Sequence, residues 1–476
     1  MVYMKADAIA AFKRCCDAVS PYVCVVKALK LTDDKLTVTS SSNTISLPIS
    51  KKTHFFLTAF GKASISMALA AEHRLGQRIY DGIVIAPSNS ETRNPKLRSR
   101  VYYGAQNNLP DSDSVAATRE ALRCIQKNDA DDVVFLFLNS VAATREALRY
   151  IQENDAEDVV FLFLISGGGS ALFCAPDGLS LEEKLSAIRT LTSNGADIRV
   201  LNAFRQKLSV LKGGKTLNFV KRGKVVALII SDLIDDLIQF IASGPTIPQT
   251  ASMVELSHAI TTSPKWTSLL SPEVMNRVRV PPQPSLRYSE PHNIIIASNT
   301  YALEEMKCYF TSLGYDSHIV SCNLEGNATE VGRHFAEIIT AGRDNLSAKL
   351  EKFNKKPSFL PRNKVALLFG GETTVVLHGN GRGGRCQEMT LSCLIALGSI
   401  AHHPPPFLFL AAGTDGQDGP TDAAGAFISN DDIDDELIRE GQSYLNTSNS
   451  YEYWSKFKNG KNHIKPGSTG TNVMDI

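Results

Sequence analysis

The feature that most limits what this chain can fold into is a recurring unit: a short apolar run, a turn rich in Gly, Ser or Asp, then a helical stretch. HFFLTAFGKASISMALAAEH, VVFLFLISGGGSALF, VVALIISDLIDD, NIIIASNTYALEEM, VALLFGGETTVV and FLFLAAGTDGQDGPTDAAGAF all follow it. Strands alternating with helices predict an α/β fold with mostly parallel sheets covered by helices. The longest apolar runs, at 159–165, 225–230 and 407–412, have the length of buried strands and are too short to span a bilayer. Ligands of such sheets bind beyond the carboxyl ends of the strands, and all of these turns lie there.

A length of 476 residues exceeds one ordinary core and predicts two domains. Prolines cluster at 271–291, which places the boundary near 285, with domains 1–285 and 286–476. The polar, Pro-punctuated stretch 349–364 reads as a surface loop. Lys and Arg number 50 against 49 Asp and Glu, so no global field draws the chain to nucleic acid or an anionic membrane. Any anion site must be local, and the expected partners are small molecules. Nine scattered cysteines without a C-x-x-C pair read as free thiols of a reducing compartment rather than disulfides or a zinc site. The amphipathic N-terminal stretch, ended by Pro21, lacks the apolar core of a signal peptide. The expected location is the cytoplasm, with a mitochondrial leader left open.

Residues 114–139 recur almost unchanged at 140–165, differing only at positions 124/150, 127/153, 131/157 and 139/165. Two copies are too few for a solenoid, and a duplicated exon or gene-model error explains them better. The second copy leads into Ser166-Gly167-Gly168-Gly169-Ser170 and is expected to supply the sheet strand. The strand of the first copy, Val133 to Leu138, is expected to end as an edge or loop.

Several turns suit anions. In Ser166–Ser170, three glycines let backbone N–H groups approach a phosphate beside a helix N-terminus. Lys62 sits where a strand meets a helix. Neither Gly61-Lys62-Ala63 nor Gly214-Lys215-Thr216 completes a Walker A motif. Gly379-Asn380-Gly381-Arg382-Gly383-Gly384 matches G-x-G-x-x-G between an expected strand, TTVVLH, and an expected helix, RCQEMTLSCLIAL. The acid that would bind a dinucleotide ribose is missing, since no Asp or Glu falls between Glu388 and Asp415. Gly381, Gly383 and Gly384 with Arg382 and Arg385 suit a phosphate chain better. Asp232 and Asp415, the first acids after their strands, are candidates for Mg²⁺ or for the base that accepts a hydroxyl proton. Helix caps and Asx turns are the plainer explanation for Asp236 and Asp422.

Together, AFGKASISMA, LISGGGSALFCAP, NAFRQKLSVLKGGKTL, IISDLIDDLIQFIASGPTIP, IASNTYALE, LFGGETTVVLHGNGRGGRCQE, AAGTDGQDGPTDAAGA and GSTGTNVMDI resemble, in order, the class II glycerate kinases, whose C-terminal half is the MOFRL domain. The resemblance implies ATP- and Mg²⁺-dependent phosphorylation of D-glycerate, 2-phosphoglycerate being favoured. It also implies two α/β domains, the first Rossmann-like, with the active site in the cleft between them, in a monomer or homodimer. It implies roles for Lys62 and for an arginine of the GRGGR loop, with both Arg382 and Arg385 as candidates. Asp232 joins them as a catalytic candidate. Arg205, Lys212, Asn299 and Glu372 are candidates for holding substrate. Three departures stand out: Cys386 replaces the family's usual Asn, the tandem copy is extra, and the chain stops at Ile476, where the family continues into a short apolar segment, so that a missing strand would bare a sheet edge. Two other readings stay open: an NAD(P)H-dependent hydroxypyruvate reductase, and a catalytically impaired metabolite-binding paralogue.

Overall fold

The structure, a computed structural model, describes residues 2–88, 90, 96–104, 131–280, 290–341, 343–353, 364–400 and 404–476. Cys124, residues 114–130 of the first tandem copy, the prolines around the expected boundary at 285, and 354–363 of the expected loop lie outside the described residues. The chain forms two compact units. One comprises Cys24–Ser231 and Leu237–Ile296; the other comprises Met1–Val23, Asp232–Asp236 and Ala297–Ile476. The N-terminal helix and the short acidic segment 232–236 thus group with the C-terminal part of the chain. Part of the expected linker, Pro272–Val278, is a helix capped by Ser271.

The first unit is built on a six-stranded sheet. Its strands lie in the order Arg100–Gly104, Ile79–Pro87, His54–Phe60, Val159–Ile165, Lys224–Ile230, His292–Ala297. In chain order this is the 3-2-1-4-5-6 arrangement of Rossmann-like sheets. The registers from the first of these strands to Lys224–Ile230 are parallel. The central strands are buried along nearly their whole length, as the unbroken apolar runs require of a sheet covered on both faces.

The two tandem copies fold differently. Val159–Ile165 of the second copy is a central strand. The matching Val133–Leu138 of the first copy belongs to the helix Asp131–Glu153, not to an edge strand or loop. One sequence adopts two structures because the sheet has one slot between His54–Phe60 and Lys224–Ile230, and the second copy fills it. Propensity is a weak prior that tertiary context overrides.

The second unit carries a parallel pair, Asp316–Leu324 with Val365–Gly371, and an antiparallel trio, Leu408–Ala412, Gly425–Ser429 and His463–Ile464. Phe335 joins their cores, with ring centroids 4.9 Å from Phe369 and 4.8 Å from Phe409. The C-terminal residues run between the two sheets. Asp475 pairs with Gly371 and Gly413, and Ile476 exchanges two 2.9 Å hydrogen bonds with Ala412. The helix Val2–Ala18 packs in the same unit, with Asp7 accepting from Tyr315 at 2.9 Å and Arg14 stacked over Tyr309. Pro21 ends that helix and opens the next, Pro21–Ala28.

Candidate active site

In the first unit the strand order reverses between His54–Phe60 and Val159–Ile165, and the turns that follow these two strands are bonded to each other. The Lys62 amide donates to the Gly167 carbonyl at 2.8 Å, and the Ala63 amide to Ser166 Oγ at 3.0 Å. Gly61 has φ +120°, and a Cβ there would stand 2.6 Å from the Ser166 carbonyl oxygen. Only glycine lets the turns close to this distance. Lys62 is exposed. The helix behind the glycine triplet, Gly169–Leu172, is a single turn and offers little dipole. The long helix at this point is Ser64–Leu75, which opens just after Lys62 with no side-chain cap on its N-terminus. A crevice at such a reversal is where doubly wound sheets bind ligands.

Beneath the turn lies a polar layer that the sequence reading only half anticipated. Ser170 Oγ is 2.9 Å from Ser243 Oγ, which donates to Asn202 Oδ1 at 2.8 Å. Lys212 is buried, and its ammonium donates to the carbonyls of Ser170 at 2.9 Å and Ala242 at 3.4 Å. Burial first, then the nearby Lys184 and Arg205 charges, hold its pKa well below the ordinary lysine value. Lys212 was expected to hold substrate; the fold uses it as a brace under the 166–170 turn. Lys215 is likewise turned inward, donating to the Gln206 carbonyl at 2.7 Å. Arg205 carries no hydrogen bond or ion pair among the described residues, and burial lowers its pKa. Among the described residues it is the cation of this stretch whose charge no protein group engages through a hydrogen bond or ion pair. Ala242, Ser243 and Gly244 all have positive φ, at 50°, 63° and 61°. For the two non-glycines this costs on the order of 1–2 kcal/mol each, strain that tends to sit at functional sites. Asn202 and Ser243 were missed because a single Asn in a helix and a Ser before Gly-Pro carry no motif of their own.

The second unit gathers the other candidates. Arg385 is gripped by two carboxylates: Asp475 forks onto Nε and Nη2, the latter at 2.9 Å, and Glu372 lies 3.0 Å from Nη1. Burial works against the Arg385 charge, but Asp475 and then Glu372 outweigh it and raise the pKa above its ordinary value. Burial raises the Glu372 pKa; Arg385 opposes this, while the charges of Asp475, Asp232 and Asp415 add to it. Asp232, Asp415, Glu372 and Asp475 therefore share one neighbourhood. Asn299, expected at the substrate, is buried and donates to the carbonyls of Val473 and Asp475, both at 2.9 Å. Its work is to hold the C-terminal segment.

The glycine loop 379–384 differs from its expected form. Thr373–His378 is not a strand and has only an isolated bridge, Thr374 with Asn327. The Arg385–Gly398 helix does follow, but Asp418 occupies its N-terminus: the carboxylate accepts from the amides of Cys386 at 3.2 Å and Gln387 at 2.9 Å, and from Gln387 Nε2 at 3.1 Å. A dinucleotide pyrophosphate would need those donors, so the loop gives no support to the reductase reading. Gly381, Gly383 and Gly384 serve close packing: a Cβ at 381 would stand 2.6 Å from Asn449 Cβ, one at 383 would overlap Ser450, and one at 384 would overlap Asp418. Burial pushes the Cys386 thiol up, with Asp475 and Asp418 adding to it. Arg382 is exposed, stacked 4.8 Å over Tyr451 and donating to the Pro420 carbonyl at 3.2 Å. Of the two arginines, Arg382 is the one that no carboxylate among the described residues pairs with.

The chain is similar to known proteins over most of its length. The family described as "Domain of unknown function (DUF4147)" matches residues 7–140 and 138–279, its two stretches meeting where the tandem copies meet, and the MOFRL family matches 365–475. A Caenorhabditis elegans protein is 42% identical over 98% of this chain and 96% of its own. A D-glycerate 2-kinase of Thermotoga maritima is 33% identical over 88% of this chain and 89% of its own. The crystal structure of a Thermotoga maritima glycerate kinase superposes with a TM-score of 0.76 at 29% identity, covering 100% of this chain and 98% of that one.

Proposed function

Because this chain belongs to the glycerate kinase family, joining DUF4147 and MOFRL domains, we propose that it transfers the terminal phosphoryl group of ATP to the 2-hydroxyl of D-glycerate, with Mg²⁺ as cofactor. The observation that carries the reading is the joining of the Lys62 and 166–170 turns at the reversal point of the six-stranded sheet. The 33% identity to a D-glycerate 2-kinase supports the choice of hydroxyl.

The reading gives each unit its task. In the first, backbone N–H groups of the 166–170 turn cradle phosphate oxygens, the exposed Lys62 ammonium neutralises the transferring group, and Arg205 pairs with the glycerate carboxylate. In the second, Arg382 meets the phosphate chain, Arg385 presents a fixed charge, and Asp232 accepts the hydroxyl proton. Asp232 and Asp415 are the residues that would hold Mg²⁺. Among the described residues that act on Glu372, the carboxylates Asp232, Asp415 and Asp475 outnumber the Arg385 guanidinium, which fits a divalent cation. No group of three His, Cys, Asp or Glu side chains among the described residues converges to hold a metal unaided. That suits Mg²⁺, which keeps water and takes phosphate oxygens as ligands. When bound, it would offset charge on the phosphate chain. The protein's part is then positioning and charge stabilisation.

Incubation with ATP, Mg²⁺ and D-glycerate, with NMR identification of the product, tests the reaction; 2-phosphoglycerate is expected. Lys62→Ala should lower turnover by about 100-fold or more while leaving the melting temperature unchanged, because the side chain is exposed. Near-normal turnover of that variant, or oxidation of NADH by hydroxypyruvate in place of ADP formation, would refute the reading.

A further inference from the structure

We infer that Asp475 is the positioning residue of Arg385, acting through the guanidinium rather than on substrate. This rests on the reading above, in which Arg385 serves phosphoryl transfer. An arginine side chain has several rotatable bonds, and a charge that swings freely is a poor complement to a transition state. Asp475 removes that freedom by meeting Nε and Nη2 together, the fork geometry in which Arg and carboxylate bond bidentately. Glu372 holds Nη1 from the other side at 3.0 Å. The two hydrogen bonds to Asp475 engage two of the five guanidinium N–H groups, and the Glu372 contact is an ion pair, so N–H groups on both Nη atoms stay available to an oxygen outside the protein.

Asp475 is itself fixed more firmly than its place beside the chain end would suggest. Its side chain is 9% exposed, against 45% for Glu372. Its amide and carbonyl pair with Gly371 at 3.0 and 3.2 Å, and the buried Asn299 amide donates to its carbonyl at 2.9 Å. Asn299 thereby fits a role two steps from the chemistry: it seats the backbone of Asp475, whose carboxylate seats Arg385. Gly370 permits this, since a Cβ there would run into Asn299. Glu372, half-exposed and joined to the guanidinium by an ion pair without a hydrogen bond, is the weaker of the two holds. Asp475 therefore governs where the guanidinium points.

The test is a double-mutant cycle on the full-length enzyme. Asp475→Asn, which retains the shape but loses the charged fork, is expected to lower kcat by about 100-fold, with KM for ATP and D-glycerate changed less than about threefold. Asp475→Glu should recover part of the loss. In an Arg385→Ala background the Asp475→Asn change should have almost no further effect, because the group it positions is gone. An equal loss in both backgrounds, or activity of Asp475→Asn within about twofold of the parent, would overturn the inference. Asp475→Ser, which keeps the backbone pairing, repeats the cycle; failure of both variants to fold, judged by circular dichroism melting, would also overturn it in favour of a purely structural role. Full activity of Arg385→Ala alone would instead sink the underlying reading of Arg385, an outcome separable from the others.

Discussion

Asp418 offers a quantitative test of how the glycine loop is anchored. Its carboxylate is buried at the start of the Arg385–Gly398 helix, and burial, only partly offset by the Gln387 and Cys386 amides, pushes its pKa up to about 7. The unfolded chain has an ordinary aspartate value near 3.9. A pKa raised on folding means that the folded state binds the proton more tightly, so the stability is present at low pH and is lost as pH rises through about 7. From linkage, this one group contributes about 3 kcal/mol at pH 5 and almost nothing at pH 8. Asp418→Asn keeps an acceptor for the helix amides but cannot titrate. At pH 5 it should fall within about 1–2 kcal/mol of the parent, the cost of turning an amide N–H₂ toward one of the donors. Between pH 5 and pH 8 the parent should then lose about 3 kcal/mol that the variant retains. Urea unfolding of both proteins at pH 5, 6, 7 and 8 reads the difference directly, and other titrating groups cancel in it. A stability difference that stays flat across that range would show that Asp418 is ionised throughout, and that the helix N-terminus outweighs burial.

Two further outcomes follow from packing. Deleting residues 114–139 should leave the six-stranded sheet intact, because the strand between His54–Phe60 and Lys224–Ile230 comes from the second copy; melting temperature and turnover at or above those of the parent are expected, and an insoluble product would refute this. Gly384→Ala should destabilise by about 2–3 kcal/mol, since its methyl group would overlap Asp418, and a thermal shift below about 2 °C would show that the loop yields.

Much of the scaffold was legible in short runs of sequence. HFFLTAF, VVFLFLI and VVALII are strands because a parallel sheet covered on both faces demands unbroken apolar runs, and each ends at the turn where its Gly, Ser or Asp stands. The candidate site was only partly legible. Lys62 and the 166–170 turn are neighbours, as their positions at strand ends suggested. Lys212 and Asn299 look the same in sequence as ligand-binding residues do, yet burial turns both toward backbone carbonyls. The GRGGR glycines matched a phosphate-binding spacing, but packing against Asn449, Ser450 and Asp418 accounts for them.

The order and type of the elements, the location of chemistry at strand ends and the family resemblance are local properties, written in runs of ten or twenty residues, and the sequence alone determined them. Which tandem copy became the strand was a competition for one slot, and no local pattern separates two nearly identical segments. Likewise, the pairing of Arg385 with a carboxylate ninety residues away, leaving Arg382 exposed, depends on where the C-terminal segment docks. Such contacts arise from long-range hydrogen bonding and burial, and only the tertiary structure decided them.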